Sequence, residues 1–207
     1  MLIDFRQLWP KYNIHPKGVL HVGANVGEEA PVYLELGVKK QIWIEANPEI
    51  FEKLKRNIAG NPEATALNYC IGDEEGKDVI FHVSNNGSQS SSVLELGTHL
   101  QEHPDVHYVK DIPMKTKRLD NIFQNLDGYD FLNCDCQGFD LNVVKGLGQL
   151  LSGFRWVYIE VNTSQVYKNC ALLPEVEEYF GKFGLTKREF KFPPNKTWGD
   201  CLFTINQ

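Results

Sequence analysis

Residues 18–47, GVLHVGANVGEEAPVYLELGVKKQIWIEAN, constrain the fold more than any other stretch, because a strand–turn–helix–strand unit can be read from them. Residues 18–22 are a short apolar run suited to a buried parallel strand. Residues 23–27, GANVG, form a tight turn in which glycine lets backbone pass close to a neighbour. The segment 28–36 follows at helical spacing, Gly37 stops it, and residues 41–45 read as a second buried strand that ends in a carboxylate. In a unit of this kind, an acid about 20 residues beyond the glycine turn stands at the end of the neighbouring strand, where it accepts hydrogen bonds from a ribose. Glu45 has that spacing. Glycine turns also join strands to helices where no ligand binds, so the turn alone does not decide.

The ligand type follows from what is missing. The dinucleotide fingerprint G-x-G-x-x-G is not met, because Asn25 stands at its second glycine, and no G-K-[ST] marks a phosphate-gripping loop. Glu28 and Glu29 open the helix and would repel an anion placed on the same amides. A ligand with an adenosine, a sulfonium cation and an amino-acid tail, S-adenosylmethionine, tolerates those carboxylates. An NAD-dependent dehydrogenase is the rival reading, and the broken fingerprint argues against it.

A chain of 207 residues suits one domain, with residues 1–17 as an N-terminal helical extension whose Phe5, Leu8, Trp9, Tyr12 and Ile14 join the core. Lys plus Arg number 21 against 27 Asp plus Glu, and the net charge of −6 has the wrong sign for a nucleic-acid partner. No uninterrupted apolar run approaches the ~18 residues of a membrane helix, so no membrane partner is expected and the protein is expected to be soluble and cytoplasmic. Cys70, Cys134, Cys136, Cys170 and Cys201 contain no C-x-x-C pair and read as reduced core residues. His99, His103 and His107 recur at helical spacing, but Pro104 interrupts them, and they read as a solvated, irregular surface rather than a metal site.

After Asn47-Pro48, a cap followed by proline, Ile50, Phe51, Leu54 and Ile58 give a helix one apolar stripe. Residues 65–71 read as a third strand and 72–76 as a turn into another at 79–83, together a hairpin. Residues 85–92 are a polar surface loop, either a connector or a supplier of hydrogen bonds to a hydroxylated ligand. Residues 129–134 form a strand entering Asp135, and 135–140, DCQGFD, have the form of a second functional turn. Asp140 is equally readable as an ordinary helix-opening acid. Residues 156–159 are a strand ending in Glu160, and two last strands, 185–192 and 201–205, are joined by 193–199. Alternating strands and helices mean an α/β sheet covered on both faces, and two successive strands without a crossover require one of them to run antiparallel. Acceptor entry is expected between residues 85–92, 99–114 and 193–199.

In order and spacing, HVGANVG at 21–27, EANP at 45–48, IGDEEG at 71–76, Ser90-Ser91-Ser92, DCQGFD at 135–140 with Gly146 after it, and Glu160 resemble the FkbM family of S-adenosylmethionine-dependent methyltransferases, from about residue 18 onward. The resemblance implies a class I methyltransferase fold: a Rossmann-like, mostly parallel seven-stranded sheet with an antiparallel C-terminal strand. It implies methyl transfer to a hydroxyl oxygen of a small acceptor, a sugar or secondary metabolite. Gly23, Asn25 and Gly27 would bound the methionine half of the cofactor, Glu45 and Ala46 the ribose, and Cys70, Ile71 and Asp73 the adenine. Asp135 would face the methionyl amine and the reaction centre, as general base or as cofactor holder. The chain departs from the family pattern at His21, where aspartate is common, and at Gln137, where glutamate is common. His21 is expected to disturb the glycine turn and Gln137 to remove a base or polar orienter, which leaves a cofactor-binding module without turnover as a further alternative.

Overall fold

The computed structural model describes residues 2–205. In chain order the elements are α1 (Phe5–Lys11), β1 (Val19–Val22), α2 (Ala30–Glu35), β2 (Gln41–Ile44), α3 (Pro48–Ile58), β3 (Ala64–Leu67), β4 (Cys70–Ile71), β5 (Asp78–Ser84), α4 (His99–Glu102) and β6 (Tyr108–Lys117). There follow α5 (Leu119–Ile122), β7 (Phe131–Cys134), α6 (Asp140–Lys145), a 3-10 turn (Gly148–Gly153), β8 (Trp156–Asn162), α7 (Leu173–Gly181), β9 (Leu185–Lys191) and β10 (Trp198–Ile205).

The main sheet has seven strands in the order β3-β2-β1-β7-β8-β10-β9. The first five pair in parallel, and β10 runs antiparallel to both β8 and β9. Strand alternation divides the core in two. Leu20, Val22, Ile42, Ile44, Leu132 and Val157 point to the face packed by α6 and α7 through Leu141, Val144 and Phe180. Val19, Trp43, Phe131 and Tyr158 point to the other, covered by Phe5, Leu8 and Trp9 of α1, Tyr33 of α2 and Leu54 and Ile58 of α3. The N-terminal segment is thus part of the core: Asp4 caps α1 through Arg6 N–H at 2.9 Å, and the Phe5 ring meets Tyr158 edge-on at 4.9 Å. The expected Asn47 cap on α3 is present, accepting from Glu49 N–H at 3.0 Å.

The region 65–83 departs from expectation. One strand over 65–71 is two, because Asn68 leaves the ladder and donates its side-chain amide to the carbonyls of Glu45 (2.7 Å) and Ala46 (2.9 Å). β3 completes the main sheet, whereas β4 pairs in parallel with β6, and β5 pairs antiparallel with β6. The expected hairpin is therefore replaced by a three-stranded sheet, β4-β6-β5, whose central strand gave no clear sequence signal. Its alternation is broken by Lys110, Asp111 and Pro113, residues of low strand preference.

Candidate functional site

At β1 the strand order reverses, with β2 on one side and β7 on the other, and a cavity of about 460 Å³ lies beyond the carboxyl ends of these strands. Past Val22 the chain turns through Gly23 and Asn25, with left-handed φ of 76° and 45°. A Cβ on Gly23 would collide with the carbonyl oxygen of Asp135, so glycine is what lets the two strand ends meet. The amides of Gly23 and Ala24 donate to the Ile44 carbonyl at 3.0 Å each. Asn25 N–H donates to Glu45 Oε2 at 2.8 Å, and Asn47 N–H donates to Oε1 at 2.7 Å. Glu45 thereby ties the turn, the end of β2 and the cap of α3 together, with a second lone pair left on each carboxylate oxygen. Burial raises its carboxyl to about 7, against the opposing pull of the Asn47 and Asn25 amides.

His21 does not disturb the turn, whose amides bond to the Ile44 carbonyl and to the Glu45 carboxylate rather than to the imidazole. Its ring is buried, 4.9 Å from the Trp43 ring, with Nδ1 3.4 Å from the Tyr33 hydroxyl, which also accepts from Asn133 Nδ2 at 2.8 Å. Burial lowers the imidazole to about 3, so it stays neutral.

Asp135 follows β7 and lines the cavity. Its Oδ1 accepts from Gln137 Nε2 at 2.6 Å, and the same nitrogen donates to Glu160 Oε2 at 3.0 Å. The Tyr167 hydroxyl donates to Gln137 Oε1 at 2.6 Å, and Ser92 Oγ donates to the Gln137 carbonyl at 2.8 Å. Gln137 is therefore still a polar orienter, contrary to the expectation from its replacement of glutamate. Burial, and then the charge of Asp200, raise the Asp135 carboxyl; burial, Asp135, Asp140 and Asp200 raise that of Glu160. Asp140 takes the helix-opening role: its oxygens accept from Cys136 N–H at 2.7 Å and Gly138 N–H at 3.0 Å, which fixes the turn. Cys134 and Cys136 lie beside Asp140 within 4.8 Å, and the Cys134 thiol donates to Asp140 Oδ1 at 3.5 Å.

The three segments expected around the mouth all reach it: Ser88 and residues 90–92, then His99 and His103, then Trp198. The serine loop is more than a connector. Asn47 Nδ2 donates to Ser88 Oγ at 3.1 Å, and Ser88 and Ser91 hydroxyls bond at 2.7 Å. His99 contradicts the expectation of a solvated surface, since it is 3 % exposed, with Nε2 3.1 Å from Ser90 Oγ. Burial lowers it to about 4. Pro104 ends α4 one turn after His99 without exposing it, because His99 N–H is bonded to the Val166 carbonyl.

Of the residues singled out from sequence, Gly23, Asn25, Glu45, Ala46, Cys70, Ile71 and Asp135 line this one cavity. Gly27 and Asp73 stand outside its lining. Gly27 backs the turn against α3, where a Cβ would stand 2.7 Å from Leu54 Cδ1, and Asp73 gives its carbonyl to Arg118 Nη1 at 2.5 Å. Sequence reasoning missed Tyr167 and Asp200. Asp200 accepts from the Tyr158 hydroxyl at 2.5 Å and pairs in register with Glu160 across β8 and β10. Pairing two strands through their acids was the one available signal for it; Tyr167 sits in an irregular segment that carries none.

Residues 21–192 match a family model described as the methyltransferase FkbM domain. The chain is 26% identical over 193 residues to the 2-O-methyltransferase NoeI of Sinorhizobium fredii, covering 89% of this chain and 77% of that protein. Its fold is similar to that of a SAM-dependent methyltransferase from Aquifex aeolicus (TM-score 0.52, 15% identity, 99% of this chain and 91% of that one). It is similar also to the magnesium protoporphyrin IX methyltransferase of Synechocystis PCC 6803, solved with bound SAM (TM-score 0.54, 9% identity, 97% and 76% covered).

Proposed function

The chain belongs to the FkbM family of methyltransferases, and from that membership we propose that its cavity holds S-adenosylmethionine and a small hydroxylated acceptor, a sugar or secondary metabolite, whose oxygen takes the methyl group. One observation carries the reading of the cavity. Six carboxyl groups line it, those of Glu28, Glu29, Glu45, Asp135, Glu160 and Asp200, and no lysine or arginine does so among the described residues. A sulfonium and an ammonium fit such a lining, whereas a pyrophosphate would be repelled. In this assignment Glu45 accepts from the ribose hydroxyls, Ala46 flanks them, Gly23 and Asn25 bound the methionine half, and Cys70 and Ile71 of β4 border the adenine. The similarity to a protein named as a 2-O-methyltransferase supports oxygen as the methylated atom.

When bound, the cofactor supplies an electrophilic methyl group on a positively charged sulfur. The chain supplies placement and a proton acceptor. Asp135 stands at the centre of the strand ends and takes the acceptor's hydroxyl proton or holds the cofactor amine. The serine loop, His99 and Trp198 enclose the acceptor and keep water out. No helix of the described residues is long and apolar enough to cross a membrane. We place the enzyme in the cytoplasm as a single domain over 1–207, with its cysteines free.

Titration calorimetry with S-adenosylmethionine, S-adenosylhomocysteine and NAD tests the cofactor. Binding of both adenosyl compounds and not of NAD is expected; tight NAD binding without response to either would overturn the reading. A methyl-transfer screen over neutral hydroxylated acceptors then tests turnover, which a binding module alone would not give.

A further inference from the structure

The floor of the cavity brings three acids together from three elements: Asp135 after β7, Glu160 on β8 and Asp200 on β10. Asp200 is served by the Tyr158 hydroxyl and by Leu2 N–H. Asp135 and Glu160 share one donor, Gln137 Nε2, which stands between them with one N–H for each. The amide cannot swing to favour either acid. Its oxygen is held by Tyr167, its backbone carbonyl by Ser92, and its φ of 53° leaves it fixed in a turn. Neither acid meets a lysine or arginine side chain among the described residues. Two carboxyl groups on either side of one neutral amide, with a third across the ladder, cannot all carry charge without strong repulsion, and a retained proton relieves it.

We propose that Gln137 is a positioning residue that holds Asp135 and Glu160 as a proton-retaining pair, and that the pair releases its proton to solvent when a cationic ligand enters, so that the site distinguishes a sulfonium from the uncharged thioether left after transfer. The proposal rests on the cofactor reading given above. The emptied pair is then the acceptor for the proton that a substrate hydroxyl loses as its oxygen–carbon bond forms and the carbon–sulfur bond breaks. Burial and the charge of Asp200 raise both carboxyls, against the Gln137 amide, whose N–H groups pull both down.

Other titratable groups face this pair. Glu29 beside the glycine turn and Glu45 at the end of β2 are both raised to about 7 by burial, and Asp140 is held by its turn amides. His99 and His21 are lowered to about 4 and about 3 and stay neutral. The tyrosines 158 and 167 keep their protons, since burial raises both. Because Glu29 and Glu45 hold protons in the same range, variants of Gln137 are needed to assign the released proton.

The test is calorimetry of the full chain at about pH 6.5 in buffers of low and high ionisation enthalpy, which counts protons exchanged on binding. S-adenosylmethionine should release at least about half a proton more than S-adenosylhomocysteine, and its advantage over the thioether should grow about tenfold between about pH 5.5 and 7. Gln137→Leu, which removes the donor that both acids share, and Gln137→Glu, which puts a fourth carboxyl in place of that donor, should each move the midpoint of that difference to higher pH. Equal proton release for the two ligands in the wild type would overturn the proposal, as would a Gln137→Leu variant with the wild-type midpoint. Thermal unfolding with ligand checks that the variants are folded; if Gln137→Leu is not, the wild-type comparison and Gln137→Glu still decide. A wild type that binds neither adenosyl compound would instead refute the cofactor reading itself.

Discussion

Glu45→Ala tests the cofactor assignment and the architecture of the turn in one variant, and the two effects have separate magnitudes. The carboxylate already accepts two backbone amides, from Asn25 at 2.8 Å and Asn47 at 2.7 Å. Alanine leaves both donors without their partner. A buried donor deprived of its acceptor costs about 1 to 3 kcal/mol, and water admitted through the cavity keeps each at the lower end, so the loss of stability is about 2 kcal/mol. For a domain of this size that lowers Tm by roughly 4 to 8 °C. Binding loses more. At about pH 8, where Glu45 carries its charge, hydrogen bonds from ribose hydroxyls to it contribute about 1.5 to 3 kcal/mol, so the Kd for S-adenosylmethionine should rise roughly ten- to a hundredfold. Calorimetry at a temperature well below the lowered Tm, with circular dichroism on the same sample, separates the two. An unchanged Kd in a folded variant would refute Glu45 as the ribose ligand, and an unchanged Tm would refute its role as the link between β1, β2 and α3.

Further outcomes are expected. Asp135→Asn should reduce methyl transfer at least about a hundredfold if the carboxylate takes the proton; full turnover with weakened cofactor binding would leave it a holder only. Gly23→Ala forces a Cβ into the Asp135 carbonyl at a φ of 76°, so chemical denaturation should show a loss of at least about 2 kcal/mol together with loss of cofactor binding. Stability without ligand carries two opposed pH dependences: the buried, neutral His21 and His99 raise it as pH climbs toward 6.5, and the buried carboxyls lower it. Glu29 and Glu45 carry folded values near 7 against an ordinary 4.5, so the folded chain binds more protons between those limits; their favourable contribution is complete below about 4.5 and lost as pH passes 7. For one such carboxyl the change is of order 3 kcal/mol, so Glu29→Gln should gain stability relative to the wild type between about pH 5 and about pH 7.5, a comparison in which His21 and His99 cancel; no gain in unfolding free energy would contradict the sign.

The parts of the fold and site visible in the sequence are those in which one local pattern carries the information. Apolar runs bounded by glycine placed β1, β2 and β7, and the distance from the glycine turn to Glu45 placed that acid at the end of β2, where the structure adds its bond from Asn25 N–H. Asn47-Pro48 marked the start of α3 because capping is decided within a few residues. Partners brought in by long-range pairing were not visible. The role of Asn68 in breaking a strand depends on two carbonyls more than twenty positions earlier, and β6 exists because β4 and β5 both lean on it. Tyr167 meets Gln137 from a segment with no periodicity at all. His99 misled for a related reason: proline after it suggested a solvated, irregular surface, whereas burial is set by Ser90 and Val166, which local spacing does not reveal.

The position of β10 has a bearing on the order in which a ribosome delivers this chain. β8 and β9 are finished before β10 is made, yet β10 lies between them, so the sheet has to stay open on that side until the closing hairpin can seat. Asp200 comes with it, opposite Glu160. A nascent chain threaded out as far as β8 already has the glycine turn, Glu45 and Asp135, and so has half a pocket that is wet and unable to exclude solvent. Chemistry is withheld until β10 has emerged, and a pulse of labelled cofactor on stalled chains of increasing length should show capture appearing in a single step at that point.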